Sequence, residues 1–153
     1  MILVHNKIGG IFLKKYMIWI FIFLFFLPTP CFGSESHYRL MINAKLQTTK
    51  HPLLEREGQV HLALEDGLIL LEGDYTIHPN TQDRSVTVVT EGGYSYFAEG
   101  HLFGMIQNKL VQLPSSPFFE EGVLYLPASA CAKLTGSYLI KSKSYLQFFK
   151  WKQ

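Results

Sequence analysis

Pro117-Phe-Phe-Glu-Glu-Gly122, Val123-Leu-Tyr-Leu-Pro127 and Ala128-Ser-Ala-Cys-Ala-Lys-Leu-Thr-Gly136 follow one another without a break. The three pieces predict a strand, a second strand and a short helix. Glu121-Gly122 supplies a hairpin turn, because glycine reaches positive φ without steric cost. Pro127 suits the start of a helix, Ala128 to Leu134 favours helix throughout, and Gly136 suits the position just past its end. Ala128, Cys131, Ala132 and Thr135 share one helix face, small enough for a sheet to approach closely.

Working outward, the same wording occurs about 64 residues earlier. Asn43-Ala-Lys-Leu46, Pro52-Leu-Leu-Glu-Arg-Glu-Gly58 and Val60-His-Leu-Ala-Leu64 echo Asn108-Lys-Leu-Val111, Pro117 to Gly122 and Val123 to Pro127. Lys45 matches Lys109, Gly58 matches Gly122 and Leu62 matches Leu126, which points to a duplication. The first copy's helix falls in Leu62 to Leu71, weakened by Gly67. Tyr38 to Ile42 is β-rich, and Asp74 to His78, Ser85 to Val89 and Tyr94 to Ala98 read as further strands. Tyr138 to Ile140 and Tyr145 to Trp151 form a last hairpin. The expected fold class is α+β: a duplicated β-β-α-β unit, with a largely antiparallel twisted sheet packed on two short helices.

The run from Asn108-Lys109 through Pro117, Glu121-Gly122 and Leu126-Pro127 to the alanine-rich helix and Gly136 resembles the copper amine oxidase N-terminal-like, or stalk, domain family. That family's pattern holds Asn-Gly-Lys, a proline-led strand, an Asn-Gly turn, Val-Pro-Leu-Arg and an alanine-rich helix ending in Leu-Gly. The resemblance covers most of residues 38–150. The first copy departs further: Ala63 occupies the proline position and Glu65 the arginine position, while Ser129 replaces arginine in the second copy. The resemblance implies an exported accessory module of the bacterial cell envelope, often joined to other domains. The family's name does not imply copper binding, and no cofactor is expected.

Residues 1–33 read as an address. Lys7, Lys14 and Lys15 precede the apolar run Met17 to Leu27, which Pro28-Thr-Pro30 closes, and small residues stand at Cys31 and Gly33. That order describes a secretory signal peptide cleaved before Ser34. Eleven apolar residues fall short of the roughly 20 that a spanning helix needs, so membrane contact is expected only if this segment is kept as an anchor. Pro30 before Cys31 argues against lipidation. Residues 34–153 then form one domain, long enough for a core and held without a disulfide, since Cys131 is its single cysteine. The formal charge of the whole chain is +2, but past residue 33 eleven basic residues face twelve acidic ones, which gives no footprint for nucleic acid.

Chemistry-bearing patterns are sparse. His37, His51, His61, His78 and His101 form no His-x-His or His-x3-His pair, so local metal-ligand spacing is missing. No Gly-x-Ser-x-Gly elbow is present, and Cys131 on an inner helix face reads as a small buried thiol. Glu65-Asp66 with Glu72 and Asp74 supports one alternative, a small secreted enzyme with an acidic cluster. A structural spacer is another. The leading expectation is a non-catalytic binding module. Along the last strand Tyr145, Gln147, Phe149 and Trp151 share one face, and Leu146 and Phe148 share the other. The rings of Tyr145, Phe149 and Trp151 are the candidate contacts for a cell-wall polymer or an envelope protein, and Tyr94 and Tyr96 extend the aromatic set.

Overall fold

A computed structural model describes residues 34–70 and 74–150. The proposed leader, Glu72 and Trp151 lie outside the described residues. The first copy contributes strands β1 (Ser34–Glu35), β2 (Arg39–Ile42), β3 (Lys45–Leu46), β4 (Leu54–Arg56) and β5 (Gln59–Ala63), then helix α1 (Leu64–Leu68). Strands β6 (Tyr75–Asn80), β7 (Ser85–Thr90) and β8 (Gly93–Ala98) follow. The second copy brings β9 (Phe103–Ile106), β10 (Lys109–Gln112), β11 (Phe118–Glu120) and β12 (Val123–Pro127), helix α2 (Ala128–Thr135), then β13 (Tyr138–Lys141) and β14 (Tyr145–Phe149).

The strands form three sheets where the sequence reading expected one. Their orders are β1-β4-β5-β12-β11, β10-β9-β8-β7-β6 and β13-β14-β2-β3. All pairings are antiparallel except that of β14 with β2. The expected α+β class with two short helices is therefore observed.

The duplication is visible in the backbone at a constant offset of 64. Asn43 and Ala44 have φ of 48° and 65°, and Gln107 and Asn108 have 48° and 64°. Glu57 and Gly58 have 55° and 72°, against 50° and 81° at Glu121 and Gly122. Positive φ at both central residues matches the right-handed twist of the flanking strands, so each pair closes a two-residue hairpin. Strand bounds agree at the same offset: β2 with β9, β4 with β11, β5 with β12. Even the residues before the helices coincide, Ala63 at φ −55°, ψ 133° and Pro127 at φ −51°, ψ 135°. The tetrapeptides aligned in the sequence reading slip by one, because matching Asn43 to Asn108 hides the better echo Met41-Ile-Asn-Ala-Lys-Leu46 with Met105-Ile-Gln-Asn-Lys-Leu110.

Strands β5 and β12 pair through Leu62 with Leu126, His61 with Pro127 and Tyr125 with Ala63. Each partner of a residue in one copy is thus the counterpart of that residue's mirror position in the other. A local twofold axis runs between Leu62 and Leu126, both fully buried. The copies also exchange strands. The hairpin β2–β3 of the first copy is paired to β14 of the second, while β9–β10 of the second copy joins the intervening meander of β6, β7 and β8.

One core draws on all three sheets and both helices: Leu40, Leu146 and Phe148 from one sheet, Val86, Val88 and Phe97 from another, Val60, Leu62, Leu124 and Leu126 from the axial one. On the far side of the axial sheet, Leu54, Ala63, Phe118 and Tyr125 form a second small cluster. Leu62 belongs to a strand, so α1 is shorter than the expected Leu62 to Leu71. Gly67, which weakens that helix intrinsically, is explained by packing: a Cβ there would stand 3.1 Å from Cys131 Sγ on α2. The small face of α2 therefore receives the other helix, as well as the sheet that the sequence reading assigned to it. Gly136 at φ 63° ends α2, with Ser137 N–H donating to Ala132 O at 2.8 Å.

Candidate functional site

Strand β14 alternates as its sequence predicts. Leu146 and Phe148 are buried, Tyr145 is exposed, and Gln147 and Phe149 are half-buried. Phe148 and Leu146 face the core because their neighbours on that side, Leu40 and Leu139, do the same. The opposite face is built by cross-strand register. Gln147 stands between Met41 of β2 and Ile140 of β13, and Met41 is opposite Leu46 of β3. Tyr145 is opposite Arg39, and Phe149 is opposite Tyr138. Leu46 is 59% exposed, Ile140 53% and Tyr138 65%. Two of the three predicted contact residues, Tyr145 and Phe149, therefore lie on the outer face with Leu46, Ile140 and Tyr138, around the polar Gln147. Trp151 lies outside the described residues.

Charge is segregated along the chain rather than around this face: Lys45 is opposite Ile42 and Lys141 opposite Leu146, both on the core-facing side, while Arg39 is in register with Tyr145 on the outer one. Residues 36–50 and 137–150 hold Arg39, Lys45, Lys50, Lys141, Lys143 and Lys150 and not one Asp or Glu. Residues 51–136 hold four basic residues against eleven acidic ones. Lys141 Nζ lies 4.8 Å from the Tyr38 ring centroid, and Lys50 Nζ pairs with Glu65 at 3.2 Å.

Tyr94 and Tyr96 sit elsewhere, on the outer face of the five-stranded meander. There Tyr96 is opposite Thr87 and Met105, and Tyr94 is opposite Val89. The aromatic set is split between two sheets. A cleft of about 310 Å³ opens between the β6–β7 turn and the β11–β12 hairpin, lined by Asn80, Thr81, Arg84, Ser85 and Phe119 among others. Glu99 holds the Arg84 guanidinium at both Nε and Nη2, the second at 2.9 Å, and accepts Phe119 N–H at 3.1 Å. The hydrogen bond from Arg84 keeps the Glu99 carboxyl below its ordinary range.

Within the acidic cluster Glu65 and Asp66 are both engaged. Glu65 pairs with Lys50, and buried Asp66 accepts Lys50 N–H at 2.9 Å, His51 N–H at 3.0 Å and sits 3.1 Å from His51 Nδ1. Asp66 thereby anchors the loop after β3 to α1. Burial pushes the Cys131 thiol up to about 12. His61 is fully buried, and desolvation lowers its pKa. Its Nδ1 donates to Gln59 O at 3.0 Å, which leaves Nε2 to accept from Ser115 Oγ at 3.0 Å. This serine–histidine contact is closed to solvent at both ends. Among the described residues no three His, Cys, Asp or Glu side chains converge as a metal site requires. No helix of the described residues is long and apolar enough to cross a membrane.

No protein-family model matches the chain, and comparison with curated proteins and with solved structures gives no significant match.

Proposed function

We propose that this chain is an exported, non-catalytic accessory module, a divergent relative of the copper amine oxidase N-terminal-like domains. Its task is to dock on a component of the bacterial cell envelope. The observation that carries this reading is the exposed face of the β13-β14-β2-β3 sheet, where Tyr145 and Phe149 join Met41, Leu46 and Ile140. Surfaces that bury large side chains beside polar neighbours are where partners gain affinity, and rings contribute most per residue. The export part rests on the order of charge, apolar run and small residues in 1–33.

The test is cosedimentation of the full chain with isolated cell envelopes. The double substitution Tyr145→Ala and Phe149→Ala leaves Leu146 and Phe148 in the core, so circular dichroism should stay unchanged while binding falls about tenfold or more. Equal binding by a folded variant rejects these contacts. Recovery of the uncleaved chain in the cytoplasm removes the localisation.

A further inference from the structure

We propose that the cleft between the β6–β7 turn and the β11–β12 hairpin binds a neutral sugar ring, at a site apart from the docking face described above. Ser85 lines this cleft and is 2% exposed, and its hydroxyl has no hydrogen-bond partner among the described residues. Among their buried and half-buried side chains, Arg56 Nε is the one polar atom both unpartnered and sealed from solvent. The Ser85 hydroxyl therefore keeps an opening, and the cleft it lines is that opening. A buried hydroxyl left unpaired costs free energy until a ligand arrives to pair it.

Arg84 is held there at a cost. It ends the β6–β7 turn at φ 45°, a left-handed backbone that suits glycine or asparagine and is kept where a side chain is needed in a fixed place. Its guanidinium lies over the Phe119 ring, 5.2 Å from the centroid. Glu99 accepts from Nε and Nη2, which leaves Nη1 without an acceptor among the described residues. The duplication shows that the fold does not need this arginine. Glu35 is the counterpart of Glu99 at the offset of 64. Ser36 N–H donates to Leu53 O at 2.8 Å, just as Gly100 N–H donates to Pro117 O at 2.9 Å. Both copies close this edge through the backbone, yet Glu35 makes no ion pair among the described residues.

The lining selects the ligand by chemistry. Glu99 balances the Arg84 charge and Glu121 brings a second carboxylate to the cleft, so a phosphate or carboxylate meets net negative charge. A metal ion or an amine meets the guanidinium. A wholly apolar ligand leaves the Ser85 hydroxyl unpaired. Neighbouring neutral hydroxyls satisfy every group, because each both donates and accepts. They accept from Arg84 Nη1, donate to Glu121, and take either role with Ser85 and Thr81, while the C–H face of the ring packs on Pro79. At about 310 Å³ the cleft stands at the low end of the roughly 300–1,000 Å³ of ligand pockets, which suits a mono- or disaccharide.

The experiment screens the full chain on an array of neutral and acidic oligosaccharides, then measures affinity for the best neutral one by calorimetry. Neutral sugars should be retained in preference to acidic ones, with little dependence on salt. Ser85→Ala should weaken binding about tenfold. Its urea midpoint should stay level or rise, since the hydroxyl it removes bonds to nothing in the chain. Thr81→Val, in the exposed turn, should weaken binding severalfold at an unchanged midpoint. Tyr145→Ala/Phe149→Ala should bind the sugar as the unaltered chain does, which separates this site from the docking face. A free pyranose bound as tightly as the oligosaccharide supports a one-ring pocket, and tighter binding of longer chains supports a glycan strand crossing it. No retained sugar, retention of acidic sugars alone, or full affinity in Ser85→Ala overturns the assignment. So does a lowered midpoint in Ser85→Ala, which marks a structural serine, or an affinity loss in Tyr145→Ala/Phe149→Ala.

Discussion

Ala44 holds the second central position of a hairpin turn at φ 65°, where its three counterparts at that position are Gly58, Asn108 and Gly122. A left-handed backbone costs an L-residue with a Cβ about 1–2 kcal/mol, and asparagine offsets part of that through its short polar side chain. Alanine has neither remedy. Ala44→Gly should therefore raise stability by about 1 kcal/mol, after the greater freedom of glycine in the unfolded chain is deducted. Urea unfolding of the two proteins measures it, and a lower midpoint for the glycine variant would contradict the turn assignment. Glycine at this turn leaves the neighbouring Lys45 and Leu46 in place.

Between elements, the His61–Ser115 hydrogen bond ties the loop ahead of β11 to strand β5, and the His61 ring packs edge-on against Phe118 at 5.0 Å between centroids. Burial lowers the pKa of this histidine below its ordinary value of 6.5. The neutral ring is thus favoured in the fold, and the unfolded chain binds the extra proton first. Stability from this group is fully present above pH 6.5 and is lost as the pH falls from there towards the lowered folded-state value. The urea midpoint should decline over that window, and the decline should shrink in His61→Gln, which does not titrate. A wild-type midpoint that is level from pH 7.5 to 5.5 would be inconsistent with a buried neutral imidazole.

Across the molecule, the two copies share the axial sheet and the β13-β14-β2-β3 sheet, so neither has a complete set of neighbours without the other. Removing β14 leaves β2 without its parallel partner, and parting β5 from β12 opens the core at Leu62 and Leu126. The described domain should unfold in one transition, with far- and near-ultraviolet dichroism changing together. Leu62→Ala and Leu126→Ala, related by the axis and both fully buried, should each cost about 3–5 kcal/mol. Because the two side chains meet at the axis, the double variant should depart from the sum of the single costs. Two separated transitions, one for each copy, would falsify the strand exchange.

Much of this architecture is legible along the chain because its signals are local. Glu57-Gly58 and Glu121-Gly122 announce tight hairpins, Pro127 and Gly136 bracket a helix, and Leu146 and Phe148 alternate with Tyr145 and Phe149. Each depends on sterics or side-chain direction within a few residues. Gly67 shows the limit: local propensity weakens the helix there, while Cys131, 64 residues away, accounts for the glycine. Only the tertiary structure joined β14 to β2, divided the strands among three sheets and separated Tyr94 and Tyr96 from Tyr145. Register between strands about a hundred residues apart follows from burial shared by the whole core, which no short window contains.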